Sequence, residues 1–190
     1  MSDNYMQRRT LTAAILGRRG GALVVPGLGS PTWDCVAAGG SDDYLYSWGG
    51  MGLALPTALG VALAKPERRV LCLTGDGEMM MGLGALSVTG AQKPANLSLL
   101  VLDNEHFGET GKQPGLATTT DLCAMAAAAG FARTMLMTSM DQLDDACALL
   151  FRESGPTFVL AKIALGHDPL VLPEKDGALI ANAFRAAARG

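Results

Sequence analysis

Apolar residues fall in short unbroken runs, separated by stretches in which they recur every three or four positions. The runs at 22–25, 69–74 (RVLCLT), 97–102 (LSLLVL), 133–137 and 157–163 predict strands, buried where the run is continuous. The segments 5–18, 49–65, 77–89, 121–129, 140–152 and 176–188 predict helices. In the first, Leu11, Ala14 and Ile15 share one face. Ser30 is placed to cap a further helix with Pro31 at its first position, and Ser139 to cap the helix after it. Residues 44–46 predict one more short strand.

Strands and helices alternate throughout. Continuous apolar strands are covered on both faces, and right-handed crossovers then generate an open, doubly wound parallel sheet with helices on both sides, an α/β fold. No repeat, low-complexity tract or linker interrupts the 190 residues, so one domain is expected over 1–190. The apolar run 51–64 is short for a membrane span and contains Pro56, which points to a buried core helix.

Composition narrows the classes. Hydrophobic residues make up 49% and charged residues 17%, too apolar for a disordered chain. Fifteen basic against eighteen acidic residues, with no basic run, leave no nucleic-acid footprint. Cys35, Cys72, Cys123 and Cys147 are widely spaced without a CxxC, which argues against a zinc or iron–sulfur site and fits reduced thiols in a cytoplasmic protein. The first ten residues lack the apolar stretch of a secretory signal. Met79, Met80 and Met81 read as helix packing, as do Trp33 and Trp48, and His167 as a surface loop residue.

Two strand ends carry the chemistry, because ligands of such sheets sit beyond the carboxyl ends of the strands. The first is Thr74-Gly75-Asp76-Gly77-Glu78 and the second Asp103-Asn104-Glu105-His106-Phe107-Gly108. Glycines on either side of Asp76 let a ligand approach the backbone, and the following helix start favours an anion such as phosphate. A carboxylate there would repel phosphate unless a cation lay between them. Asp76 therefore suggests a divalent metal such as magnesium, with Asn104 as a second oxygen donor. Taken alone, Gly-Asp-Gly reads rather as a tight turn or helix cap.

The two ends together, an intact helix–strand unit apart, resemble the signature of the thiamine diphosphate-dependent enzymes: Gly-Asp-Gly followed by an Asn-Asn pair, here Asp103-Asn104. Residues 47–56 (SWGGMGLALP) resemble the segment before that signature. Residues 104–115 (NEHFGETGKQPG) resemble the loop after it in the 2-oxoacid decarboxylases that act on sulfopyruvate and phosphonopyruvate. The resemblance implies that Asp76, the Asn104 side chain and the His106 carbonyl bind Mg2+. It implies N–H groups of Gly77 and Glu78 for the diphosphate, beside Gly75. Met51 would lie under the cofactor, with backbone groups of Gly49 and Met51 on the aminopyrimidine. The loop from Gly27 to Ser30 would line the same pocket, with Leu28 replacing a common threonine. Phe107 and Gly108 continue the cofactor wall, and Glu109, Thr110 and Lys112 fall where such enzymes place substrate-facing groups.

The resemblance covers only the diphosphate-binding domain. The glutamate that activates the cofactor sits, in this family, on a separate pyrimidine-binding domain, so it is expected on an α-type partner chain in an α2β2 or larger assembly. The apolar segments 51–64 and 78–89 are candidate interface elements, with core packing as the alternative. The implied reaction is decarboxylation of a 2-oxoacid such as 3-sulfopyruvate or 3-phosphonopyruvate to CO2 and an aldehyde. A carboligase subunit, a 2-oxoacid:acceptor oxidoreductase β subunit and a non-catalytic relative are the other readings.

Overall fold

The computed structural model describes residues 5–47, 49–166 and 168–189. Five parallel strands form the central sheet: β1 (Leu23–Pro26), β2 (Val70–Gly75), β3 (Leu97–Asp103), β6 (Arg133–Met137) and β7 (Thr157–Lys162). Their order is β1-β2-β3-β7-β6. A separate two-stranded hairpin, β4 (His106–Phe107) with β5 (Gln113–Pro114), stands at the end of β3. The helices are α1 (Arg8–Leu16), α2 (Ser30–Ala37), α3 (Ala54–Ala64), α4 (Asp76–Met81), α5 (Gly84–Gln92), α6 (Leu122–Ala128), α7 (Leu143–Phe151) and α8 (Gly177–Ala187).

Two apolar cores lie on opposite faces of the sheet, as alternation along the strands requires. Val70, Cys72, Leu97, Leu99, Val101 and Phe158 join one, against α3 and α6. Leu71, Leu73, Leu100, Leu102 and Val159 join the other, against α1 and α7. β2 and β3 are buried along nearly their whole length, whereas the edge strand β6 is fully buried only at Met137 and is not the doubly covered run its sequence suggests. Residues 44–46 do not complete a strand. Tyr44 makes an isolated bridge to Val24, and Leu45 and Ser47 donate to the Val24 and Pro26 carbonyls along the free side of β1.

Three helical expectations change. α3 begins at Ala54, because residues 49–53 form the turn that carries Met51. The segment 77–89 is two helices. Gly52 passes so close to Gly82 that a Cβ there would stand 2.5 Å from the Gly52 carbonyl oxygen, and the helix breaks at that crossing. Ser30 is the first residue of α2, not its cap; Gly29 holds the cap position without a side-chain bond. Ser139 does cap, in a reciprocal box with Gln142 ahead of α7. Met79 packs in the core as expected, but Met81 is 68% exposed. Trp48 and His167 lie outside the described residues. Among the described residues no helix is long and apolar enough to cross a membrane.

Helix α5 meets the end of α6 where a Cβ on Gly90 would lie 1.7 Å from the Ala129 carbonyl oxygen. Gly90→Ala is expected to cost about 1–3 kcal/mol by overpacking. Gly60→Ala, on the open face of α3 with nothing within 4 Å, is expected to gain about 0.5–1 kcal/mol. Urea unfolding of the two variants measures the contrast.

Candidate active site

The parallel pairing of β2 with β3 brings Gly75 opposite Leu102, so the two chemical segments emerge side by side. Asp76 opens α4, with its carboxylate buried at 4% exposure. Its Oδ2 has no hydrogen-bond partner among the described residues. Burial, and next the Asp103 carboxylate, push the Asp76 carboxyl up to about 7, while nearby N–H groups of Gly77, Asp76 and Asn104 pull it back. An orphaned, negatively inclined oxygen in a dry corner is a site waiting for a proton or a cation.

Asn104 stands beside it. Its Oδ1 accepts the His106 N–H at 2.9 Å, and its carbonyl lies 2.8 Å from the His106 Nδ1. A second lone pair on Oδ1 stays available to a metal. Among the described residues no cluster of three His, Cys, Asp or Glu side chains forms a metal cage. An ion here would depend on one carboxylate, amide and main-chain oxygens, and oxygens of a ligand. That donor set is hard and sparse, and it suits Mg2+ better than Zn2+.

Glu78 has a different task. Its carboxylate, buried at 5% exposure, accepts from Leu28 N (2.8 Å), Thr74 Oγ1 (2.8 Å) and Ala54 N (3.2 Å). Burial raises its pKa, and these donors, with the Gly52 backbone, oppose the rise. One side chain thus ties the loop after β1 and the loop before α3 to the end of β2. Gly27 is glycine for this reason, since a Cβ there would meet Glu78 Oε2 at 1.8 Å. The Glu78 main chain, with that of Gly77, remains in the first turn of α4, where N–H groups lack helical partners.

The cavity at this corner is lined by Gly75, Asp76, Gly77, Glu78, Asn104 and His106, with Phe107, Gly108, Met51 and Ser30 closing its sides. The Met51 methyl group lies 3.8 Å from where a Gly77 Cβ would be, and the Phe107 ring is nearer still. Gly27 and Gly49 do not reach the wall. Gly27 is turned to Glu78, and exposed Gly49 precedes the Met51 turn; Leu28 forms the wall instead. Glu109 and Thr110 line the mouth, and Lys112 lines the adjoining cavity. Glu109 also faces Ser30, whose Oγ lies 3.4 Å from its Oε1.

Arg8 and Ile163 are wall residues that the motif reading does not reach. Arg8 is buried on α1, its guanidinium paired with the fully buried Asp34 and, at 3.0 Å, with Asp168. Its only sequence signal is a charge on the inner side of an amphipathic helix.

The raised Asp76 pKa has a definite sign. An acid whose folded pKa lies above its unfolded value destabilises the fold once ionised, so the metal-free chain loses stability as pH rises from about 4 to about 7. Glu78 adds to the same slope. Asp76→Asn is expected to remove most of it and to be more stable at pH 8 by at most about 4 kcal/mol. Thermal melting of both proteins from pH 4 to 8 measures this.

Residues 36–161 match the family described as thiamine pyrophosphate enzyme, C-terminal TPP binding domain. The chain is 40% identical over 166 residues to phosphonopyruvate decarboxylase of Streptomyces viridochromogenes, covering 87% of this chain and 42% of that protein. It is 34% identical over 168 residues to sulfopyruvate decarboxylase subunit beta of Methanothermobacter thermautotrophicus, covering 88% of each. Among solved structures, a Mycobacterium smegmatis protein described as a thiamin diphosphate-dependent enzyme superposes with a TM-score of 0.71 at 22% identity, over 84% of this chain and 32% of that one. This chain belongs to the thiamine pyrophosphate enzyme family, as a C-terminal TPP-binding domain.

Proposed function

We propose that this chain is the β-type subunit of a thiamine diphosphate- and Mg2+-dependent 2-oxoacid decarboxylase, and that it supplies the metal- and diphosphate-binding half of the active site. The observation that carries this reading is the buried, unpartnered Oδ2 of Asp76 beside Asn104. The residues present fit the group, because an oxygen without a donor at a glycine-flanked strand end is what a metal-bridged diphosphate requires. Bound thiamine diphosphate would supply the electron sink for loss of CO2 from a 2-oxoacid.

In this reading Asp76, Asn104 and the His106 carbonyl hold the metal, and Gly77 and Glu78 offer main-chain N–H groups to the diphosphate. Met51 supports the cofactor from below, in a loop that Glu78 fixes through Ala54. Glu109, Thr110 and Lys112 face the substrate, which is 3-sulfopyruvate or 3-phosphonopyruvate by analogy with the two relatives. The product is an aldehyde.

The cavity holds about 170 Å³, below the roughly 300–1,000 Å³ of complete ligand sites. A partner chain would complete it and bring the activating glutamate, in an α2β2 or larger cytoplasmic assembly. The groove between α3 and α5, where Leu63, Met81 and Val88 are more than half exposed, is the surface we assign to that partner.

The test is an assay of the complex purified through this chain from its own host, supplied with thiamine diphosphate, Mg2+ and each 2-oxoacid. Release of CO2 and the aldehyde is expected, with at least a hundredfold loss in Asp76→Ala, as for removal of a metal ligand. A ligation product in place of the aldehyde would make the chain a carboligase subunit. Failure to bind cofactor at all would overturn the proposal.

A further inference from the structure

We propose that Lys162 is a positioning residue for the metal loop: its ammonium, held between Asp103 and Glu105, fixes the turn that presents Asn104 and His106 beside Asp76. The inference rests on the metal site proposed above and concerns a residue outside its motifs.

Lys162 is the last residue of β7, and its register partner on β3 is Asp103. Parallel partners point to the same side of a sheet, so the pair is set by the topology. The Lys162 Nζ lies 2.7 Å from Asp103 Oδ2 and 2.6 Å from Glu105 Oε1. All three side chains are shielded, at 15%, 1% and 33% exposure respectively. This is a fork that grips the residues on both sides of Asn104.

The turn it grips needs holding. Glu105 has φ +62°, a left-handed conformation that a non-glycine residue adopts at a cost. Asp103 Oδ1 accepts the Glu105 N–H at 2.9 Å, and Asn104 Oδ1 accepts the His106 N–H at 2.9 Å, so two side-chain turns run in succession. The Glu105 carbonyl is in turn fixed by the Gly115 N–H at 2.7 Å, at the foot of the β4–β5 hairpin. Without the ammonium, Asp103 becomes a buried carboxylate with no counter-charge. Its side chain is then no longer held in place from β7, and rotation of the carboxylate breaks the Asp103–Glu105 bond. Asn104 and the His106 carbonyl then lose their aim.

The pair also accounts for an acid at position 103. A neutral residue would make the same turn without a cation, whereas an aspartate buried at 1% exposure needs the counter-charge that Lys162 supplies.

Mn2+, read by electron paramagnetic resonance, is titrated into the purified complex at saturating thiamine diphosphate. Lys162→Met is expected to weaken Mn2+ binding about 10–100-fold, the usual effect of losing a group that orients a metal ligand. Lys162→Arg, which keeps the charge, is expected to stay within about threefold of wild type, and Asp103→Asn added to Lys162→Met to recover most of the loss. If Lys162→Met does not fold, Glu105→Gln, which cuts one arm of the fork on a partly exposed side chain, is expected to weaken Mn2+ several-fold. Wild-type Mn2+ affinity in folded Lys162→Met, or in Glu105→Gln where the first does not fold, overturns the proposal even if the melting temperature falls. A wild-type complex that binds no Mn2+ with the cofactor overturns the metal site itself and this inference with it.

Discussion

Three carboxylates are forced into the same low-dielectric corner where β2 and β3 end, and the site follows from how each is compensated. Glu78 is satisfied by main-chain N–H groups and a threonine hydroxyl. Asp103 is satisfied by the Lys162 ammonium. Asp76 keeps an oxygen that nothing among the described residues satisfies. Burying an uncompensated charge costs free energy, and a fold that carries one is less stable than it could be. The cost is concentrated at one atom, on a residue that lines the cavity.

The other two carboxylates use their compensation to build. Glu78 collects donors from two loops that are far from it in sequence, so the Leu28 wall and the turn bearing Met51 are fixed to the same strand end as Asp76. Asp103 and Lys162 do the same across β3 and β7 for the loop holding Asn104. The corner is tied together where the two strand ends meet. A separate groove between α3 and α5 leaves apolar side chains in solvent.

Much of this is legible in the residues. Continuous apolar runs locate β1, β2, β3 and β7, because strands covered on both faces have no polar side to disguise them. The edge strand β6 is found by its branched and long side chains, but its exposure is not, since burial depends on what the rest of the chain leaves uncovered. Gly-Asp-Gly and Asp103-Asn104 mark the site because the sheet places consecutive strand ends together. The split between α4 and α5 comes from a crossing of Gly52 over Gly82, thirty residues apart, which no local pattern records. The tasks of Glu78, Arg8 and Lys162 are hidden for the same reason: each acts through a partner brought near only by the fold.

The central claim is that this chain holds the metal end of a site that another chain completes. Native mass spectrometry of the tagged chain, purified from its own host with thiamine diphosphate and Mg2+, tests it most directly. The account predicts a stable complex with a second chain, carrying one cofactor and one metal ion for each copy of this one. A cofactor-loaded assembly of this chain alone that decarboxylates a 2-oxoacid would contradict it, because an acid within the chain would then be doing the work assigned to the partner.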